Sequence, residues 1–182
     1  MAIAALRVEL GRWLTPELAF APAGRLGSLE LRRYPARIEA WTQIDDPGLE
    51  VALDHGYGRL ASYICGANRS AELIGRTMPI LAAVRDGEYA VSFVMPPGRA
   101  LGELPQPEHP GVALRRIPAH EIAALRFHGP VTNDNIAAHE SVLLQQLAFA
   151  GVSARGSVAF ATFDSPATLP ILRRNELWIE VV

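Results

Sequence analysis

The chain has 182 residues, a size typical of one domain or of two small halves that share a core. Its 17 basic residues are all arginine, and with 19 acidic residues the net charge is −2, which argues against an overall positive field that recruits nucleic acid. A single cysteine, Cys65, excludes an internal disulfide and a cysteine cluster for zinc or iron–sulfur. No apolar run approaches the ~20 residues that span a bilayer, so we expect a cytoplasmic protein.

Apolar residues recur at roughly helical spacing between residues 2 and 20, which predicts a short amphipathic helix. Pro16 breaks this helix and the Pro-Ala-Gly turn at 22–24 ends it, so residues 1–28 are predicted to form an N-terminal helical extension. The apolar run is interrupted by charged residues and lacks a clean small-residue cleavage site, unlike a signal peptide. We expect the helix to pack on the domain or on a second subunit.

A strand hairpin is predicted over about 29–44 because two alternating runs flank a proline-containing turn. Asp46 as N-cap and Pro47 at the first helical position then begin a helix that ends near residue 64. Its predicted inward face consists of Leu49, Leu53, Tyr57, Leu60 and Ile64. Gly56 and Gly58 weaken this helix, and we interpret them as places of close approach to another element. A second hairpin follows around the Asp-Gly turn at 86–87.

The segment at 31–36 (LRRYPA) returns at 114–119 (LRRIPA) with one difference, and the elements that follow it recur in the same order. A hairpin is predicted at 112–128, and a helix begins after Thr132 or Asn133 and ends at Gly151. Strands are predicted at 157–163 and 176–182.

The chain is therefore predicted to have an α+β fold made of two pseudo-symmetric strand–strand–helix–strand–strand repeats, 29–97 and 111–182, joined by a linker at 98–110. Together they form a mostly antiparallel, curved sheet or distorted barrel of about eight strands, with both helices packed against it. Such an arrangement puts a groove on the pseudo-two-fold axis, where small molecules commonly bind.

Short motifs along 29–182 resemble the SOUL heme-binding family, and their order and spacing are more specific than any one of them. The motifs are 31–34 (LRRY), 59–64 (RLASYI), 66–68 (GAN), 77–80 (TMPI), 91–96 (VSFVMP), 104–107 (LPQP), 163–166 (FDSP) and 173–178 (RRNELW). The resemblance implies a two-fold fold shared with gyrase-inhibitor-like domains. It also implies reversible, non-covalent binding of heme or another tetrapyrrole in a mainly hydrophobic cleft, by a carrier or buffer rather than an enzyme. Where the vertebrate heme-binding branch has an arginine thought to meet a propionate, this chain has Asp54.

A heme site needs an apolar slot, an axial donor and cations for the propionates. Helical geometry puts His55 and Arg59 on a shared face of the first helix, which suits His55 as the iron ligand and Arg59 as a propionate partner, or an ordinary solvated face. Leu53 and Tyr57 complete the candidates on this helix.

Two further candidates lie in the second half of the chain. His128 follows a strand, either at the mouth of the cleft or in an ordinary loop. Arg173 begins an Arg-Arg pair that either clamps a carboxylate of the ligand or pairs with Glu176 to fix the closing strand. The expected partner is a small, planar, hydrophobic molecule, and the expected oligomer is a monomer or a weak homodimer.

Two other functions remain open at the level of sequence. One is a small-molecule hydrolase on the same scaffold, in which Glu121, Glu176 or Glu180 faces the groove with a raised pKa. The other is a ligand-sensing module without affinity for heme. The sequence lacks the zinc-protease, phosphate-loop, dinucleotide and nucleophile-elbow motifs of common enzyme classes.

Overall fold

The computed structural model of the chain describes residues 15–46, 48–85, 87–164 and 168–182. The helix predicted within residues 2–20 falls mostly outside them. Nine strands and two long helices occupy the described part. They are β1 (Ala21–Leu26), β2 (Leu29–Tyr34), β3 (Arg37–Ile44), α1 (Leu49–Ile64), β4 (Thr77–Arg85), β5 (Glu88–Val94), β6 (Val112–Ile117), β7 (His120–Phe127), α2 (Asn133–Ala150), β8 (Ala154–Thr162) and β9 (Asn175–Val181). Neither of these helices combines the length and apolarity that crossing a membrane requires.

The nine strands form one antiparallel sheet in the order β1-β2-β7-β9-β8-β4-β5-β3-β6. Within the described residues β1 and β6 are its two edges, so the sheet is curved but open rather than a closed barrel. The predicted α+β class, with two helices on a mostly antiparallel sheet, is confirmed.

Strand β1 is a ninth strand that the sequence pattern does not predict. Pro22 and Gly24 read as breakers, yet both lie inside it, at a bulge where the pairing with β2 shifts register. Proline is tolerated here because β1 is an edge strand, where one side of the ladder needs no N–H donor. Gly24 adopts a φ of 146°, a backbone conformation that side chains rarely allow.

The order of strands β2 to β9 in the sheet is symmetric about the centre of the sheet. Exchanging β2, β3, β4 and β5 for β6, β7, β8 and β9 respectively maps the eight-strand part of the sheet onto itself, with the β4–β8 pair at its centre. A duplicated unit requires such an order. Superposition of residues 29–97 on 111–182 remains a prediction.

Both helices pack on one face of the sheet, which we call the helix face. Leu49, Leu60 and Ile64 of α1 are buried there, as predicted. Ala52 and Gly56 are buried as well, and a Cβ on Gly56 would lie 2.6 Å from the Cβ of Val91 on β5. This close approach rotates the predicted inward face of α1, so that Leu53 is only half-buried and Tyr57 is exposed.

The helix ends follow local signals in one case and not in the other. The hydroxyl oxygen of Thr132 accepts a hydrogen bond from the backbone N–H of Asn135 at 3.3 Å, and Gly151 ends α2 in a left-handed conformation with a φ of 68°, as predicted. The N-cap predicted at Asp46 is wrong, because Gly48 occupies that position in α1. Asp46 instead accepts a hydrogen bond from the N–H of Gly48 at 2.8 Å, which forms a turn before the helix.

Candidate ligand-binding site

A pocket of about 490 Å³ lies on the helix face over the central β4–β8 pair. We call it the groove pocket. Its described lining residues come from α1, from the two central strands, from the segment before α2 and from the β8–β9 connection. They are Glu50, Val51, Leu53, Asp54, Tyr57, Ile80, Val131, Phe160, Thr162, Asp164 and Arg173.

One wall of the groove pocket is a side of α1 that the sheet contact leaves open. Leu53 and Tyr57 are four residues apart and therefore lie one above the other on this side. The Tyr57 ring meets the edge of Phe93 with 5.4 Å between ring centroids, and the Arg76 guanidinium lies 5.6 Å from the Tyr57 ring centre. These contacts hold Tyr57 at the pocket although its side chain is partly exposed.

The floor of the groove pocket depends on the pairing of β4 with β8. Ile80 lies opposite Thr162, and Phe160 lies opposite Ala82 in the same ladder. Phe160 and Ile80 are both buried, so the floor is rigid and apolar. Val131, which precedes α2, contributes to the opposite wall.

Charge in the groove pocket is predominantly negative. Glu50 and Asp54 lie on α1, and Asp164 follows β8. Among the described residues of the lining, Arg173 is the one cation. Its Nε donates to the carbonyl of Thr168 at 2.8 Å, and Asp164 accepts from the backbone N–H of Arg174 at 2.6 Å.

Three of the residues predicted for a heme site line the groove pocket, namely Leu53, Tyr57 and Arg173. They come together because α1 and the β8–β9 connection meet over the centre of the sheet. Residues farther along the chain complete the lining without having been predicted. Phe160 is such a residue, and the pairing of β8 with β4 rather than a local motif puts it there. Val131 is another, from the segment before α2.

The other three predicted residues lie elsewhere in the structure. His55 is exposed and is not part of the described lining. Arg59 turns toward β3, where its Nη1 donates to the carbonyl of Gln43 at 3.1 Å. His128 is exposed, and its Nδ1 lies 2.9 Å from the carbonyl oxygen of Arg173, so it contacts the pocket's arginine only through the backbone. Across the described residues, no three His, Cys, Asp or Glu side chains are grouped to hold a metal ion.

The opposite face of the sheet, which we call the far face, carries a buried ionic cluster. Glu176 has no exposed surface, and its two carboxylate oxygens accept from Arg32 at 2.6 and 3.2 Å. Its carboxylate also accepts from the indole N–H of Trp178 at 2.7 Å and from Arg174. Burial alone would raise the pKa of Glu176, but the hydrogen bonds and charge of Arg32 outweigh it, so the pKa is held below its ordinary value.

The carboxylates proposed for a hydrolase therefore do not face the groove pocket. Glu176 is committed to Arg32 on the far face, with a lowered pKa rather than a raised one. Glu121 pairs with Arg33 at 2.9 Å, and Glu180 pairs with an arginine of β8. The pairing of Arg174 with Glu176 at 3.2 Å supports the interpretation that the Arg-Arg pair fixes the closing strand.

Solved structures share this fold at low sequence identity. The C-terminal domain of EcmrR matches with a TM-score of 0.63 and 14% identity, over 85% of this chain and 96% of that domain. An EcmrR–DNA complex matches with a TM-score of 0.67 and 13% identity, over 84% of this chain and 56% of that one. A hydrolase from Listeria innocua matches with a TM-score of 0.56 and 13% identity, over 96% and 97% of the two chains.

At these identities the similarity shows the fold alone. No curated protein matches the chain. The family model described as SOUL heme-binding protein matches residues 15–180, which is nearly the whole sequence. The chain therefore belongs to the SOUL heme-binding protein family.

Proposed function

We propose that this protein binds heme or a related tetrapyrrole non-covalently in the groove pocket and acts as a carrier or buffer. The observation that carries the proposal is an apolar pocket of about 490 Å³ at the centre of a fold whose family is described as heme-binding. A typical small-molecule site has a volume of roughly 300–1,000 Å³ and is lined mainly by apolar and aromatic side chains.

The apolar lining fits a planar macrocycle. Leu53 and Tyr57 offer one wall, Val131 offers another, and Ile80 and Phe160 form a floor that packing holds in place. Two aromatic rings among these residues provide surfaces on which a conjugated ring system packs favourably. Burial of the macrocycle between these side chains is the main source of affinity in this proposal.

The lining provides apolar contacts for the macrocycle but few candidate ligands for its iron. Histidine, cysteine and methionine are missing from its described residues, and the Tyr57 hydroxyl is the nearest equivalent of a known haem ligand. Ligation of the iron by His55 would require heme to reach the exposed side of α1. It stays a prediction, which the absorbance spectrum tests. Because ring packing rather than iron ligation dominates, we expect metal-free protoporphyrin to bind about as tightly as hemin.

Arg173 is the residue of the lining that suits a propionate. Glu50 and Asp54 would repel a propionate placed along α1, so the propionates are expected to leave the pocket beside Arg173. When bound, heme would supply iron redox and ligand-binding chemistry, while the residues of this chain hold the ring, exclude water from its faces and bind one carboxylate.

Titration of the protein with hemin and, in parallel, with protoporphyrin IX tests the proposal through absorbance and fluorescence. Both should bind with one-to-one stoichiometry and comparable affinity. The variant Val131→Trp fills the pocket and should weaken both by about tenfold or more, which corresponds to ~1.4 kcal/mol. Val142→Trp, on the exposed surface of α2, is the matched control and should bind normally.

The outcomes separate the parts of the proposal. A flat titration with both hemin and protoporphyrin IX would refute tetrapyrrole binding. If Val131→Trp bound them as tightly as the parent protein does, the ligand would lie outside the groove pocket. Strong binding of hemin alone, together with a changed Soret band in His55→Ala, would show that iron ligation by His55 dominates. An unchanged Soret band in His55→Ala would refute iron ligation by His55.

A further inference from the structure

A second pocket, of about 370 Å³, lies at the turn between β2 and β3 and beneath the segment that follows β5. We call it the arginine pocket. It shares no described lining residue with the groove pocket. Its lining consists of Leu18, Pro35, Ala36, Arg37, Ile38, Arg116 and residues 95–101.

Three arginines and no carboxylate are found among the described residues that line this pocket. Arg99 is committed elsewhere, because it pairs with Glu72 and donates to the backbone carbonyl of Glu103. Arg116 is exposed at the pocket, and within the described part of the chain its guanidinium group makes no hydrogen bond or ion pair. The pocket therefore has a cation at its rim that the fold does not use.

Arg37 adds a second cationic group, which is buried and only partly paired. Its side chain is 8% exposed, and its Nε donates to Glu39 at 2.9 Å. Its Nη1 is buried without a hydrogen-bond acceptor among the described residues. Buried guanidinium N–H groups nearly always have acceptors, because leaving one without a partner costs the free energy of its lost hydration.

The protein does not supply enough negative charge to neutralise this site. Glu39 is buried and is shared, because its second oxygen accepts from Arg115 at 2.9 Å. One carboxylate thus faces two guanidinium groups, which leaves an excess positive charge beside the arginine pocket. An anion bound there would supply the missing negative charge.

We propose that the arginine pocket is a second ligand site, which binds a small apolar molecule carrying a single carboxylate. Arg116 binds the carboxylate at the rim, because a planar pair of oxygens matches a guanidinium group, and the buried charge of Arg37 adds to the attraction. Leu18, Met95 and Leu101 contact the apolar part of the molecule. The site is independent of the proposed tetrapyrrole site, so neither ligand is expected to displace the other.

Octanoate is a suitable probe, because it combines one carboxylate with a short apolar chain. Octanol and octylamine keep the chain and replace the anion by a neutral group or a cation. Binding to the 182-residue protein is measured by titration calorimetry, and the site is located from NMR shifts of backbone amides. Octanoate should bind at least tenfold more tightly than octanol or octylamine, and it should shift amides at 95–101 rather than those around Leu53 and Phe160.

The first variant replaces Arg116, because this arginine is exposed and the fold does not depend on it. Arg116→Gln should weaken octanoate by about three- to tenfold and leave octanol unchanged. Arg126→Gln is the matched control, since Arg126 is an exposed strand arginine whose guanidinium group makes no described hydrogen bond or ion pair and lies outside the pocket. Arg37→Gln should weaken octanoate by a similar factor, with folding checked by circular dichroism.

Two results would overturn the proposal. The first is equal affinity for octanoate, octanol and octylamine, since the anion would then contribute nothing. The second is an equal effect of Arg116→Gln and Arg126→Gln, which would indicate general attraction to surface arginines. Continued octanoate binding in protein saturated with protoporphyrin IX supports the separation of the two sites, and full competition would refute it.

Discussion

Replacing Gly56 by alanine is expected to destabilise the protein, because the glycine lets α1 lie directly on β5. An added Cβ would lie 2.6 Å from the Cβ and Cγ2 of Val91 and 2.9 Å from its Cγ1. Carbon atoms pack best at about 3.5–4.0 Å, so α1 would have to move away from the sheet by about 1 Å. Val91 is fully buried and has no room to withdraw.

The expected loss is a balance of two opposing effects. Alanine improves helix propensity by roughly 1 kcal/mol relative to glycine. Overpacking a buried contact costs about 1–3 kcal/mol, and a 0.5–1 Å gap forfeits a quarter to a half of the dispersion energy of the atoms around it. Buried neighbours such as Ala52 and Leu60 would lose contacts in this way. We expect the free energy of unfolding to fall by about 2 kcal/mol and the melting temperature by roughly 4–8 °C.

Gly58→Ala is the matched control, because Gly58 lies in the same helix and nothing outside the backbone of that helix lies within 4 Å of its Cβ position. This variant should gain about 0.5–1 kcal/mol from helix propensity alone. Urea unfolding followed by tryptophan fluorescence gives both values. A Gly56→Ala variant as stable as Gly58→Ala would refute the close-packed helix, and with it the reason why Leu53 and Tyr57 lie at the groove pocket.

Two further predictions concern buried polar groups. The pKa of Glu176 is lowered in the folded protein, so its ionised form stabilises the fold. This stabilisation is fully present above the unfolded-state pKa of ~4.3. It is lost as the pH falls through the lower pKa of the folded state. Glu176→Gln should cost about 3–5 kcal/mol at pH 7 and flatten the loss of stability in acid, measured as urea midpoints from pH 3 to 7. Asn68 is buried and makes four hydrogen bonds to backbone groups, so Asn68→Ala should cost about 2 kcal/mol in urea unfolding.

Each of these substitutions has a control on the surface. Glu121→Gln removes a more exposed ion pair and should change stability by less than about 1 kcal/mol, with the acid dependence of the parent protein. Asn133→Ala, at the exposed first turn of α2, should be far milder than Asn68→Ala. Equal effects of Glu176→Gln and Glu121→Gln would contradict the buried cluster, and a neutral Asn68→Ala would contradict its network.

Local signals predicted the parts of the fold that depend on local chemistry. Thr132 and Gly151 mark the ends of α2 because a cap and a left-handed residue act on their immediate neighbours. Strand β1 escaped prediction because Pro22 and Gly24 argue against a strand when read alone. Only the position of that strand at an edge of the sheet makes them acceptable, and edge position is a property of the whole fold.

The groove pocket was predictable only in part, for a related reason. Hydrophobic periodicity put Leu53 and Tyr57 on the inner face of α1, but it gives no weight to small residues. Ala52 and Gly56 take the inner position because they allow the closest contact, which turns the larger side chains toward the groove. The floor at Phe160 follows from the register of β8 against β4, which no local motif specifies.

The alternation of side chains in β9 explains why the most conspicuous acidic residue near the C-terminus is unavailable to the groove pocket. Leu177 belongs to the apolar cluster under the helices, so its neighbours Glu176 and Trp178 must point to the far face. There Glu176 neutralises Arg32 in the interior, and moving it to the groove would leave that arginine with the more exposed Glu30 as its carboxylate partner. The sheet therefore separates two roles: the far face uses buried charge to hold the strands together, and the helix face keeps an apolar space in which a ligand can bind.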